Sequence, residues 1–127
     1  MTTEANGFAA FFQENAEQQA CFDALRKALM ERYPETVILI QKSQISFRDQ
    51  RPYCYVWSPE FRKVKGGGIV VTFGLDAPVP DPRISGVTEP YPNRWTHHVE
   101  VHDPEEVDGQ LLAWIDWAYR LKQKKKS

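Results

Sequence analysis

Cysteine and histidine are scarce in this chain, and their scarcity removes whole classes of chemistry. The two cysteines, Cys21 and Cys54, lie far apart without metal-ligand spacing. They read as free buried thiols of a reducing compartment, not as a disulfide scaffold. All three histidines, His97, His98 and His102, fall in one stretch, "RWTHHVEVHDPEE". Charge of one sign is missing too: 16 Lys+Arg against 17 Asp+Glu leave a formal net charge of -1. That gives no basic field for a nucleic-acid backbone. No apolar run approaches the ~20 residues that cross a bilayer. The opening "MTTEANGFAAFF" holds Glu4, has no basic segment, and its apolar part is too short for a secretion signal. There is no internal repeat. Catalytic signatures are absent as well: no Gly-x-Ser-x-Gly elbow, no His-Glu-x-x-His helix and no zinc-deaminase pattern, while "KGGG" lacks the rest of a phosphate loop. These absences lead us to expect a soluble cytoplasmic protein, with no membrane partner, nucleic acid disfavoured, no cofactor, and a leaning away from enzymatic activity.

What is present suits one domain over residues 1–127. A hydrophobic content of 42%, with seven Phe, five Tyr and four Trp, is ample core material. Residues 1–34 read as helical. Phe8, Phe11 and Phe12 have helical spacing, and Asn15 followed by Gln18 forms a capping box for a helix from about Ala16 to Tyr33. Its apolar face holds Cys21, Phe22, Leu25, Ala28 and Leu29, and Pro34 stops it. The period then changes to two, and a sheet is expected over 36–102. Val37–Ile40 is a continuous apolar run, expected to be covered on both faces. Ile45 and Phe47 alternate with Gln44, Ser46 and Arg48; Tyr53, Tyr55 and Trp57 alternate with Cys54 and Val56 up to Pro59. Gly66–Gly68 connects to a fourth strand, Ile69–Phe73.

Pro78, Pro80, Pro82, Pro90 and Pro92 fall between Leu75 and Asn93, which predicts a loop over 75–93, either functional or wrapped on the body. Thr96 to His102 is a fifth strand with His97, Val99 and Val101 on one side and His98, Glu100 and His102 on the other. Asp103, Pro104 and Glu106 suit the start of a helix over 104–122, with an apolar stripe of Val107, Leu111, Trp114, Ile115, Ala118 and Leu121. Lys122, Lys124, Lys125 and Lys126 then complement its C-terminus. Consecutive strands without intervening helices predict an α+β fold: a mostly antiparallel sheet of about five strands, covered on one face by the N-terminal and C-terminal helices.

Three chemistries compete for the polar residues. Lys42, Gln44, Ser46 and Arg48 would share a face if the second strand ran straight through Ser43, and Arg51, Arg94 and Trp95 lie nearby in sequence or fold. Such donors suit a carboxylate or phosphate, and Tyr53, Tyr55, Trp57 and Trp95 could form a stacking wall. The bland alternatives are a solvated sheet face, or residues that hold the proline-rich loop down, with Arg94 bonding loop carbonyls. His98, Glu100 and His102 are spaced ~6.7 Å apart along a strand, so neighbours but not the outer pair could share a metal. His97, on the side of Val99, suits a satisfied core histidine or a loop partner. A Cys54–histidine nucleophile is conceivable, but nothing in the sequence places the two together.

The segments "KSQISFRDQRPYCYVW", "PRISGVTEPYPNRWTHHVEV" and "DGQLLAWIDWAY" resemble a small bacterial family known only as a domain of unknown function, distantly similar to YdhG-type, iron-chaperone-like domains. The resemblance implies a compact α+β domain and makes Gln44, Ser46, Arg48, Arg94, Trp95, His97 and His98 the family-type positions. The distant kinship implies iron handling, although the acidic runs are limited to Glu4–Glu17 and Asp103–Asp108. The expectation is therefore non-enzymatic binding of a small anionic ligand or partner by Lys42, Gln44, Ser46, Arg48, Arg94, Trp95, His97 and His98, where the second and fifth strands meet as neighbours. Arg48 and Arg94 would pair with the anion, Gln44 and Ser46 orient it, Trp95 stack, and His97 or His98 tune charge near neutral pH. The alternatives are metal (iron) handling through His98, Glu100 and His102, and a hydrolase or transferase of unrecognised motif. Exposed Trp or Tyr could equally mark a homodimer face.

Overall fold

The computed structural model describes residues 7–8, 10–12, 15–58 and 67–124. The sequence expectations for Glu4, Pro59, Gly66, Lys125 and Lys126 lie outside the described residues. Helix α1 spans Ala16–Arg32. It starts where Asn15 places its side-chain oxygen 2.9 Å from the Gln18 N–H, which satisfies one of the free donors of the first turn. Cys21, Phe22, Leu25 and Leu29 are buried along it. The Tyr33 N–H closes its end on the Leu29 carbonyl.

Six strands follow: β1 Val37–Ile40, β2 Gln44–Asp49, β3 Arg51–Trp57, β4 Ile69–Leu75, β5 Ile84–Tyr91 and β6 Arg94–Val101. They form one sheet in the order β1-β2-β3-β4-β6-β5, and every pair is antiparallel. The connector into β4 needs its glycines. Gly67 and Gly68 have φ of 88° and 104°, and a Cβ on Gly68 would collide with the Val101 carbonyl.

The sixth strand corrects the expected loop over 75–93. Prolines forbid a central strand, but β5 is an edge strand with an outer side that needs no donor, and its pairing is irregular between Thr88 and Tyr91, where Pro90 sits. A two-residue turn, Pro92-Asn93, joins β5 to β6, with Asn93 at φ 63°. Pro fixes the first central position of such a turn and Asn tolerates the second. The expectation that Val37–Ile40 is covered on both faces is also corrected. β1 is the opposite edge, and Val37, Leu39 and Ile40 are 55%, 39% and 41% exposed.

The last helix is not continuous from 104. A 3-10 turn, η1, spans Pro104–Glu106, and helix α2 spans Gly109–Lys124. Each has its own aspartate cap: Asp103 accepts the Glu105 N–H at 2.9 Å, and Asp108 accepts the Leu111 N–H at 3.1 Å. Glu106 reaches back not to Asp103 but to the His102 N–H, at 2.7 Å. α2 packs on β3 and β4, while α1 packs on η1 and β4. Both helices bury the same sheet face. Ile45, Phe47, Cys54, Val56, Val71, Phe73 and Val99 are fully buried there. No helix among the described residues is long and apolar enough to cross a membrane.

An irregularity in β3 changes which way one side chain points. Phe47 pairs with Cys54 but Arg48 pairs with Pro52, so Tyr53 is an extra residue in β3. Tyr53 therefore leaves the side of Tyr55 and joins the helices. Its hydroxyl is 2.7 Å from Thr36 Oγ1, and its ring packs edge-on against Tyr33 and Tyr119.

Candidate functional site

The bulge at Tyr53 opens the sheet. β3 and β4 are in register only at Tyr55↔Thr72 and Val56↔Val71. Beyond that point Pro52 and Tyr53 stand on one wall of a cleft and Phe73 and Gly74 on the other. The cleft has a volume of about 190 Å³, and Tyr55, Thr72, Thr96, Pro90, Arg94 and Lys122 also line it. A second cavity, of about 240 Å³, shares Gly74, Arg94 and Lys122 with the first and extends past the end of β4 to Asp76, Asn93 and Leu121. Helix α2 supplies Lys122 and Leu121, and the β5–β6 turn supplies Asn93, so three elements converge there.

The cleft carries positive charge from Arg94 and Lys122. Burial raises the Tyr55 phenol pKa, and the charges of Arg48 and Arg94 oppose that rise. Arg48 gives one N–H to the Gln50 carbonyl at 3.2 Å. The Arg94 side chain has no hydrogen bond or ion pair among the described residues. Thr72 belongs to a buried chain: the Trp57 indole N–H donates to its hydroxyl at 2.8 Å, and the hydroxyl lies 2.8 Å from His98 Nδ1. Chemically, the arrangement offers the Arg94 guanidinium, the Lys122 ammonium and the hydroxyls of Tyr55, Thr72 and Thr96 around a small partly enclosed space. That is a donor set without a nucleophile. The Cys54 thiol lies behind β3, fully buried, and burial pushes its pKa far above the usual value, so it carries no thiolate.

Of the residues singled out in the sequence, Arg94 lines the cleft, while Arg48 is not in its lining and bears on it only through its charge, which lowers the Tyr55 pKa. Ser46 pairs with Tyr55 in register, 3% exposed. His98, 7% exposed, stands behind Thr72. The others lie elsewhere. Lys42 is in the β1–β2 turn, because the strand does not continue through Ser43. Gln44 pairs with Trp57 at the far end of β2. Trp95, paired with buried Leu75, lies on the other side of β6 from Arg94. The expected neighbourhood of β2 and β6 does not form, since β3 and β4 separate them by roughly 14 Å. Sequence pattern does not single out Thr72, Thr96 or Lys122. The alternation of Thr96 with His97 could have placed Thr96 beside Arg94, but nothing local announces that β4 opens against β3.

His97 does something different. It is fully buried. Its Nε2 accepts the Val79 N–H at 3.1 Å, and its Nδ1–H donates to the Trp95 carbonyl at 3.0 Å. It thus pins the proline-rich segment ahead of β5, stacked on Phe73 with centroids 5.7 Å apart. Burial lowers its pKa, and the Trp95 hydrogen bond opposes this only in part. Protonation would destroy the acceptor that holds Val79. The unfolded chain, with an ordinary histidine pKa of about 6.5, therefore takes up the proton first. Stability falls as pH drops below about 6.5 toward the folded-state value. Urea unfolding at pH 8 and pH 5 checks this: His97→Leu loses about 1–3 kcal/mol at pH 8, and its pH dependence in this window is flatter than the parent's.

His98, Glu100 and His102 do not gather as a metal site. His102 Nε2 is 3.3 Å from Glu100 Oε1, whereas His98 turns its Nδ1 to Thr72. Among the described residues no three His, Cys, Asp or Glu side chains converge as metal ligands.

Comparison with curated proteins and with solved structures gives no match for either. The model of one family, the domain of unknown function DUF5655, matches residues 9–122. With nearly all of α1, the sheet and α2 inside that span, the chain belongs to the DUF5655 family.

Proposed function

We propose that this domain binds a small anionic ligand, without transforming it, in the cleft where β3 and β4 part. One observation carries the reading: Arg94 lines the cleft beside Tyr55 and Thr96 with no partner among the described residues. A half-buried guanidinium is normally matched to a carboxylate or phosphate. The competing role for Arg94, holding down the proline-rich segment, is filled by His97 at Val79 and by Arg83 at the start of β5. Arg48 and Lys122 add positive potential from β2 and α2. A cytoplasmic setting suits two buried unpaired thiols. Iron handling, implied by kinship with YdhG-type domains, is the weaker reading because no ligand set converges among the described residues.

A thermal-shift screen with inorganic phosphate, sulfate and short carboxylates tests the proposal. A true ligand of the native state raises the midpoint with concentration, by about 2.7 kcal/mol of stability at a hundredfold excess over Kd. Arg94→Ala should weaken that ligand at least tenfold, since a charge-assisted hydrogen bond contributes about 1.5–3 kcal/mol. Lys42→Ala, in the distant turn, should leave it unchanged. If no anion moves the midpoint, the reading fails.

A further inference from the structure

The cavity beyond the end of β4 carries charges of both signs. Asp76, Arg94 and Lys122 line the same space of about 240 Å³. Asp76 and Arg94 form no ion pair, with each other or with another side chain, among the described residues. Asp76 spends one carboxylate oxygen on the Trp117 indole N–H, at 3.0 Å, which fixes the side chain and leaves the second oxygen for another donor. Leu75 and Leu121 are the apolar side chains that line the same cavity. The size is restrictive: about 240 Å³ lies below the ~300–1,000 Å³ of drug-sized pockets.

Opposite charges held apart across a small, partly apolar space are complementary to a small dipolar molecule. We propose that the anion taken by the cleft is one end of a small zwitterion, an amino acid in the broad sense. Its carboxylate lies at Arg94, its ammonium at the free oxygen of Asp76, and its methylenes on Leu121. This rests on the anion-binding proposal and narrows it. A plain carboxylate would leave Asp76 facing an anion, with only repulsion to offer. A zwitterion converts that carboxylate into a partner and so gains selectivity from both ends. No covalent step is involved.

The experiment pairs each ω-amino acid with the carboxylate that lacks only its amine: glycine with acetate, β-alanine with propionate, 4-aminobutyrate with butyrate, and 6-aminohexanoate with hexanoate. Affinities are measured by calorimetry on the full chain, with Asp76→Asn in parallel. Asn can still accept the Trp117 N–H, so the fold is kept, and far-UV circular dichroism confirms it. We expect one chain length to bind at least tenfold tighter than its amine-free counterpart. That advantage should vanish in Asp76→Asn while binding of the plain carboxylate is unchanged or tighter. Carboxylates and phosphate that bind as well as every amino acid would overturn the zwitterion and leave the anion site standing. A preference for the amine that survives Asp76→Asn would overturn the role given to Asp76. If amino acids, carboxylates and phosphate all fail to bind, the anion reading falls, and this inference with it.

Discussion

Replacing Phe22 by alanine should cost about 3–5 kcal/mol, the range of a fully buried aromatic side chain. Phe22 is fully buried in α1. Its ring lies 4.8 Å from that of Phe8, 5.3 Å from Phe12 and 5.8 Å from Phe47. It is the point where the N-terminal helical residues, α1 and β2 meet. Truncation removes the transfer free energy of a benzyl group and leaves a cavity that the surrounding rings, two on the N-terminal helical turn and one on β2, cannot collapse to fill. A domain of this size is stable by only about 5–15 kcal/mol, so the loss should be plain in urea denaturation, as a lower midpoint with a nearly unchanged slope. Phe22→Leu should recover more than half of it. A loss below ~1 kcal/mol for the alanine variant would show that these rings are not packed as described.

The second large effect is expected at Arg83, a residue that local sequence pattern gives no reason to notice. Its guanidinium donates to both Asp108 oxygens, at 2.8 and 3.1 Å, to Gln110 Oε1 at 3.0 Å and to the Glu106 carbonyl at 2.8 Å. It also lies 6.0 Å over the Trp114 ring. One side chain thereby ties the start of β5 to η1 and to the cap of α2. The side chains of Arg83 and Asp108 are 26% and 48% exposed, so solvent screens the pair and the bonds together contribute about 1–2 kcal/mol. Arg83→Ala should lose that much, and Arg83→Lys should restore less than half, because an ammonium cannot reproduce the planar fork.

The Arg83 clamp has a pH signature. Asp108 is held below the usual carboxylate pKa chiefly by its hydrogen bond from Arg83, then by the Leu111 N–H. Its contribution is therefore complete above about pH 4 and is lost as pH falls through the depressed folded-state value. The parent's acid sensitivity in that range should be reduced in Arg83→Ala. Equal acid denaturation profiles for the two proteins would contradict this.

Most of the fold is legible in the sequence because its signals are local. Asn15 caps whatever helix follows it, through a bond to an N–H three residues on. The alternation of His97, Val99 and Val101 against His98 and Glu100 sets which side chains enter the core for any strand there, whatever its neighbours. Five of the six strands, the caps at Asn15 and Asp103, and the apolar stripe of α2 follow from such rules. The sixth strand shows their limit. Five prolines between Leu75 and Asn93 speak against a central strand, and only the sheet decides that β5 is an edge, where that objection lapses.

The candidate site is less legible. Sequence pattern pairs Arg48 with Arg94, but as side chains of adjacent strands, and β3 and β4 in fact stand between them. Only Arg94 lines the cleft, which exists because the extra residue Tyr53 makes β3 part from β4.

The sequence by itself determined the first helix, the apolar stripe of the last one, the alternation within the strands, and that His97 faces the helix-covered core. Each of these depends on residues within a turn or two of one another and on the burial of apolar surface. Tertiary structure alone decided the strand order, the edge positions of β1 and β5, the Arg83 clamp, and the cleft that brings Arg94 beside Tyr55 and Lys122. These join residues far apart in the chain. The competition among strand pairings that settles them is a sum over the whole core, and no short window of sequence contains it.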